Sequence, residues 1–274
     1  MDEQNPIGAG GVRRALSLGT LGATAESLAT PRTLTVLGCR VDRVDMDQAV
    51  GRIEVFVRNG KPAYVVTLGA EMANLAYADA GYRAAINGAD LVVADTIGIV
   101  IAARLLRKPL RERVAGIDLM TRLCERAATQ GYPVFLLGGE HGVSEDAAGE
   151  LQRRFPGLRV AGTHHGYFND GESSAVCAIV KNSGARFVFV GLGFPRQEHW
   201  IRANLARLGP VVCIGVGGSF DVLSGRLARA SAAWRNAGLE WLYRLMREPR
   251  RWRRQLALPA FGARALRQAL FGPR

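Results

Sequence analysis

The sequence predicts an α/β fold: a Rossmann-like, doubly wound and mostly parallel sheet, followed by a basic helical appendage. From Thr33 onward, short β-branched runs alternate with segments of helical periodicity, the pattern of strands joined by crossover helices. Most of these runs end in glycine or a small polar residue, as strand-to-helix turns do. The concentration of arginine beyond residue 226 predicts the appendage.

Strands are expected at Thr33–Leu37, Ala63–Leu68, Leu91–Ala94, Val134–Leu137, Arg159–Ala161, Phe187–Val190 and Val211–Val216. The 3.6-residue period places helices at Asp47–Arg58, Glu71–Ile86, Asp118–Gln130, Ser144–Phe155, Glu172–Asn182 and Gln197–Arg207. Asp45, with Gln48 three residues on, makes a capping box for the first helix. Pro195 is expected at the first helical position of the last.

With 274 residues, 48% apolar and 22% charged, the chain has an ordinary globular composition, which excludes disorder or low-complexity repeats as its main state. The domain organisation reads as a disordered extension over residues 1–31, an α/β core over 32–225, and a basic amphipathic appendage over 226–274 that lies outside the core. No uncharged stretch approaches the ~18 to 20 apolar residues that cross a bilayer, and the first thirty residues lack the apolar block of a secretory signal. Cys39, Cys124, Cys177 and Cys213 show neither metal-ligand spacing nor a disulfide framework, which points to a reducing, cytosolic compartment.

Of the net charge of +12, residues 226–274 carry twelve Arg and two Glu, a net of +10. An anionic partner is expected there: a phosphate-bearing ligand, an acidic lipid or nucleic acid. Trp234, Trp241, Tyr243, Trp252 and Phe261 lie among those arginines, which argues against a merely solvated tail.

In doubly wound sheets ligands bind outside the carboxyl ends of the strands. Here those ends are Thr67-Leu68-Gly69, Asp95-Thr96, Gly138-Gly139, Gly162–Gly166, Gly191-Leu192-Gly193 and Gly215–Gly218. Glycines let backbone N–H groups approach an anionic ligand, so Gly166, Gly193 and Gly217 are candidate substrate-binding positions; plain turn chemistry explains any one of them as well. Asp95, between the apolar runs Leu91–Ala94 and Ile97–Ile101, is a candidate general base, and helix capping explains it equally. The run Gly191–Glu198 lacks the third glycine of a dinucleotide fingerprint, which makes a nicotinamide-dependent oxidoreductase a weak reading. His141, His164, His165 and His199 do not fall at i, i+4 beside a glutamate, and no Asp-x-Asp cluster is read for Mn or Mg. No metal and no cofactor are expected.

Six runs carry a resemblance: Asp95; Glu112–Leu119 (ERVAGIDL); Gly166-Tyr167-Phe168; Gly191–Glu198 (GLGFPRQE); Gly215–Asp221 (GVGGSFD); and Gly238–Arg244 (GLEWLYR). Together, in order from about Thr33 to Leu256, they closely resemble the WecG/TagA/CpsF glycosyltransferases. The resemblance implies an inverting transfer of a sugar (N-acetylmannosamine, its uronic acid or a related hexose) from a UDP-sugar to a polyprenyl-diphosphate-linked saccharide. Teichoic acid linkers, enterobacterial common antigen and exopolysaccharides are the implied products. By the same resemblance, Asp95 is the base that deprotonates the acceptor hydroxyl and Thr67 positions substrate beside it. Gln197 contacts the diphosphate or sugar, and Tyr167 and Asp221 lie at the uridine. Arg244, Arg251 and Arg254 match C-terminal arginines that neutralise the departing diphosphate, which agrees with the charge distribution. Without a metal the cations at that diphosphate must be side chains, and the planar fork of arginine engages phosphate bidentately.

Gly69 stands where the family usually has Asn, Thr96 where Gly follows the aspartate, and Ser231 where Pro is usual; Arg196 replaces a usual Lys. The expected partners are a UDP-sugar donor, a lipid-linked acceptor and the inner face of the cytoplasmic membrane, to which the protein would attach peripherally. Homo-oligomerisation stays open. Nucleic acid is not expected, because the arginines follow Leu239, Trp241, Leu242, Leu245 and Met246 in an amphipathic pattern that suits an interfacial helix better than a base-stacking platform. A basic nucleic-acid-binding α/β protein is the alternative.

Overall fold

The computed structural model describes residues 33–247, 249, 252 and 256–272, so the extension read over 1–31 lies outside the described residues. Strands β1 (Thr33–Val36) and β2 (Cys39–Asp42) form an antiparallel hairpin. Strands β3 (Ala63–Leu68), β4 (Leu91–Ala94), β5 (Val134–Gly138), β6 (Val160–His164), β7 (Phe187–Gly191) and β8 (Val212–Gly215) form a parallel sheet in the order β4-β3-β8-β7-β5-β6. From β3 the chain winds to one edge and from β5 to the other; β7 and β8 return to fill the middle. The winding reverses there, and a crevice opens over the carboxyl ends.

The helices are α1 (Met46–Asn59), α2 (Ala70–Ala78), α3 (Ala80–Asn87), α4 (Ile97–Leu105), α5 (Gly116–Gln130), α6 (Val143–Arg154), α7 (Ser173–Asn182), α8 (Arg196–Asn204), α9 (Ser219–Leu223), α10 (Ala232–Asn236), α11 (Glu240–Arg247) and α12 (Ala257–Phe271). The central strands are buried on both faces, so they read as unbroken apolar runs. Along β3, Ala63 and Val65 join the core cluster beneath α1, α5 and α6, while Tyr64, Val66 and Leu68 join the one beneath α2, α4, α7 and α12. The capping box of α1 forms as expected, Asp45 accepting from Gln48 N at 2.9 Å and Gln48 accepting from Asp45 N at 3.1 Å.

Several expectations need correction. The first strand belongs to the hairpin rather than to the parallel sheet, because Leu37 and Gly38, both at positive φ, turn the chain back at once so that Cys39–Asp42 pairs with it antiparallel. Asp42 is nevertheless buried, and its Oδ2 accepts from Val92 N at 2.7 Å on the edge strand β4. The expected helix Glu71–Ile86 is two helices, since Asp79 leaves helical geometry and caps α3 through Tyr82 N. Helix α4 was not expected, its uniformly apolar sequence offering no period to read. Pro195 is the cap residue of α8 rather than its first helical residue.

Helix α12 lies within the segment expected to stand outside the core, yet it packs across α2 and α4 and buries Phe261 and Ala265 in the core cluster. Gln268 reaches the N-terminal hairpin, its Oε1 accepting from Leu37 N and its Nε2 donating to Thr35 O, both at 2.9 Å. Arg264 donates to Asn74 Oδ1 at 2.6 Å and lies over the Tyr77 ring. The packed core therefore runs past residue 225. Phe261→Ala should lower unfolding free energy by about 3–5 kcal/mol, the usual cost of emptying a buried aromatic site. Urea unfolding would show it as a lower midpoint at unchanged slope; a midpoint within error of the wild type would mean that α12 is not part of the cooperative core.

Candidate active site

Across the carboxyl edge of the sheet lies a cleft of about 1180 Å³. Its floor is backbone. A Cβ on Gly138 would lie 2.4 Å from Gly191 O, and one on Gly191 would lie 2.8 Å from Gly217 O, so the ends of β5, β7 and β8 meet without side chains between them. The Gly166 N–H donates to Gly139 O at 2.7 Å and brings the turn after β6 into the same floor. All the expected site residues with described side chains, Thr67, Asp95, Tyr167, Gln197 and Asp221, line the cleft, as do Gly166, Gly193 and Gly217. Arg251 and Arg254 lie outside the described residues, as does the side chain of Arg244.

Asp95 ends β4, its N–H donating to Leu68 O at 3.0 Å. The first amide of α5, Gly116 N–H, donates to Asp95 Oδ1 at 2.6 Å, which orients the carboxylate at a helix N-terminus. Thr67 is only 7% exposed, and its hydroxyl donates to Gly215 O at 2.8 Å, tying β3 to β8. A Cβ on Gly116 would sit 3.1 Å from Thr67 Oγ1, so Thr67 packs against the residue that holds Asp95.

Gln197, 3% exposed, has both ends of its amide engaged within the protein. Its Oε1 accepts from Gly217 N at 3.0 Å and its Nε2 donates to Glu198 Oε1 at 2.8 Å. Glu198 is fully buried and also accepts from the Tyr82 hydroxyl at 2.9 Å. Burial pushes its carboxyl above the usual carboxylate range, against the pull of the bonds from Gln197 and Tyr82. Arg196 donates to Gly166 O at 2.6 Å and to Phe168 O, with its guanidinium over the Phe168 ring; between those carbonyls Tyr167 projects, 66% exposed.

The sequence reading missed several lining residues. Arg113 pairs with Glu240 at 2.8 Å, and Arg226 lies 3.7 Å from Glu140 and 3.5 Å from Asp146. Arg229 bonds both oxygens of Asp118 at 2.7 Å. Surface pairs are worth only ~0–1 kcal/mol each, but these four tie the 226–240 segment to Arg113, to Glu140 and to the first turns of α5 and α6. Part of the lining is apolar: Ile97, Ile101 and Leu105 of α4, with Trp241, Leu258 and Pro259. Contrary to the expectation, the sequence does hold an Asp-x-Asp pair, Asp45 and Asp47, but the two are spent on the α1 cap and on ion pairs with Arg111 and Arg122, and neither lines the cleft. Among the described residues no three His, Cys, Asp or Glu side chains converge as a metal set.

The two departures Gly69 and Thr96 touch each other. Gly69 is the cap residue of α2 and offers no side chain, but Thr96 Oγ1 accepts from Ala70 N at 3.0 Å, while a Cβ on Gly69 would approach the Thr96 methyl to 3.3 Å. Thr96, in the turn after β4, thus caps the first amide of α2 from outside the helix, where an Asn at position 69 would cap the second or third locally. Thr96→Ala should cost about 1 kcal/mol, within the usual range for a lost cap, and adding Gly69→Asn should recover it. Chemical denaturation of the three variants checks this; additive losses in the double variant would break the link.

A cleft of this kind on a doubly wound parallel sheet belongs here to a glycosyltransferase, and more narrowly to a hexosyltransferase. The chain is a member of the WecG/TagA/CpsF family: the model described as "Glycosyl transferase WecG/TagA/CpsF family" matches residues 34–274. Among its relatives, an N-acetylglucosaminyldiphosphoundecaprenol N-acetyl-beta-D-mannosaminyltransferase of Bacillus spizizenii is 36% identical over 206 residues, 75% of this chain and 79% of the relative. A protein of the same description from Staphylococcus aureus is 35% identical over 240 residues, 87% of this chain and 94% of the relative.

Proposed function

We propose that the protein transfers N-acetylmannosamine, its uronic acid or a related hexose from a UDP-sugar to a polyprenyl-diphosphate-linked saccharide, with inversion and without a divalent metal. The observation that carries the reading is Asp95, held by the first amide of α5 in a cleft lined both by strand-end glycines and by apolar side chains. A nucleotide-sugar suits the glycines, where backbone can approach phosphate closely. The lipid end of the acceptor suits the apolar side chains, and the relatives' names specify a diphosphoundecaprenol acceptor.

In this reading Asp95 takes the proton of the acceptor hydroxyl as that oxygen attacks the anomeric carbon. The bond from that carbon to the β-phosphate oxygen breaks, and UDP leaves with the electron pair. One displacement with one base inverts the anomeric centre. Negative charge grows on the diphosphate, and Arg113 and Arg226 at the cleft are positioned to exchange carboxylate partners for phosphate. Arg244, Arg251 and Arg254 would add to them. Tyr167 and Asp221 would hold the uridine. For Gln197 the reading changes: with its amide bonded to Gly217 and Glu198, it acts on substrate through the turn that it holds.

The protein is proposed to work as a peripheral protein at the inner face of the cytoplasmic membrane, held by the arginine-rich C-terminal segment. No helix of the described residues is long and apolar enough to cross a membrane. Each basic residue near an anionic leaflet contributes ~1 kcal/mol before screening. Binding to anionic vesicles should therefore fall steeply as salt is raised; salt-insensitive binding, or none, would remove the electrostatic anchor.

Asp95→Asn keeps the acceptor for Gly116 N–H but cannot take a proton. Turnover with UDP-N-acetylmannosamine and a lipid-linked acceptor should fall ~10²- to 10⁴-fold while UDP binding persists. Near wild-type turnover would eliminate Asp95 as the base. Transfer should also survive excess EDTA, and a loss restored by Mg²⁺ or Mn²⁺ would reveal a metal-dependent step.

A further inference from the structure

Glu198 lies at 0% exposure, and both its hydrogen-bond partners, Tyr82 and Gln197, are neutral. Burying a carboxylate without a cation is costly, and an apolar residue of the same size would pack at no such cost. What a carboxylate provides is acceptor-only character at both oxygens. That property settles the orientation of the neighbouring amide. Facing Glu198, Gln197 must present its NH2, which turns its carbonyl oxygen to the Gly217 N–H at 3.0 Å.

The amide nitrogen closes on the end of β8, where a Cβ on Gly215 would come within 2.3 Å of Gln197 Nε2. On the other side, Thr67 donates to Gly215 O. The turn at 215–218 is therefore gripped from β3 and from α8 at once. Gly217 has φ +51°, and its carbonyl oxygen is the one that meets Gly191 in the floor of the cleft. Tyr82, on α3, anchors the far end of this chain of bonds.

We propose that Glu198 is a positioning residue for sugar transfer: anchored by Tyr82, it sets the Gln197 amide so that its oxygen holds Gly217 and keeps the 215–218 turn in the shape that the donor requires. The proposal rests on the glycosyltransferase reading for its functional half, whereas the grip on Gly217 is a property of the folded chain alone. Displacements of about 1 Å at a reacting site can cost ~10²-fold.

The test uses the full chain and three variants. Glu198→Leu removes both acceptors at similar size. Glu198→Gln keeps one, because its oxygen can accept from Gln197 while its NH2 faces the Tyr82 hydroxyl as acceptor. The pair Gln197→Glu with Glu198→Gln reverses the polarity and still satisfies Gly217, since a carboxylate at 197 accepts from both neighbours. At a temperature where all are folded, Glu198→Leu should speed amide exchange at Gly217 by at least ~10-fold and lower kcat/KM for the donor by ~10- to 100-fold. Glu198→Gln should recover most of both losses, and the double variant should outperform Gln197→Glu alone in both readouts. Unchanged Gly217 exchange in Glu198→Leu would overturn the grip, and faster exchange with unchanged kcat/KM would overturn its role in transfer. A wild-type protein inactive with every UDP-sugar would defeat the glycosyltransferase reading instead, while the exchange data would still judge the grip.

Discussion

Backbone meets backbone at the carboxyl edge of the sheet, and the site depends on that contact. At Gly138, Gly191 and Gly217 the ends of three strands or their turns approach so closely that a Cβ on Gly138 or Gly191 would collide with the next main chain. Removing side chains there has a direct chemical use, since it exposes peptide groups as the lining of the cleft, and bare peptide N–H groups are the kind of surface that phosphates approach closely. It also has a cost, because a floor without side chains cannot hold itself in place. The surrounding polar side chains do that work: Thr67 and Gln197 on β8 and its turn, and Arg196 on the carbonyls of Gly166 and Phe168.

Much of the polar chemistry at the cleft is thus architectural before it is catalytic. Thr67 and Gln197, candidates for substrate contact by resemblance, spend hydrogen bonds on the protein itself, and Asp95 is oriented by the first amide of α5. The arginines show the complementary arrangement. Arg113, Arg226 and Arg229 each rest on carboxylates, so the positive charge of these three arginines is locally balanced. An anionic ligand would compete for partners already in place, at a lower desolvation cost than for bare cations.

The C-terminal region joins two roles through one helix. Helix α12 closes the core over α2 and α4 and reaches the N-terminal hairpin through Gln268, while Leu258 and Pro259 at its start belong to the apolar lining of the cleft. Stability and site shape are coupled here. The neighbouring α4 adds Ile101 and Leu105 to the same lining, each more than two-fifths exposed where a core helix would bury them.

The α/β class, most of the strands, the capping box at Asp45, the sheet edge that carries the cleft and the family are legible in the chain before it folds. These are local or periodic features: alternation of period, glycine at a strand end and a run of quoted motifs survive without knowledge of what touches what. Long-range packing alone reveals that Thr33–Val36 leaves the sheet for a hairpin, that α12 belongs to the core, and that Gln197 faces inward to Glu198. It also reveals that Gly69 and Thr96 answer one another. Each of these depends on residues far apart in the chain meeting in space: 231 positions separate Leu37 from Gln268, and 116 separate Tyr82 from Glu198. Period and composition carry no record of such pairings, because a buried polar group finds its partner by geometry and not by neighbourhood in sequence.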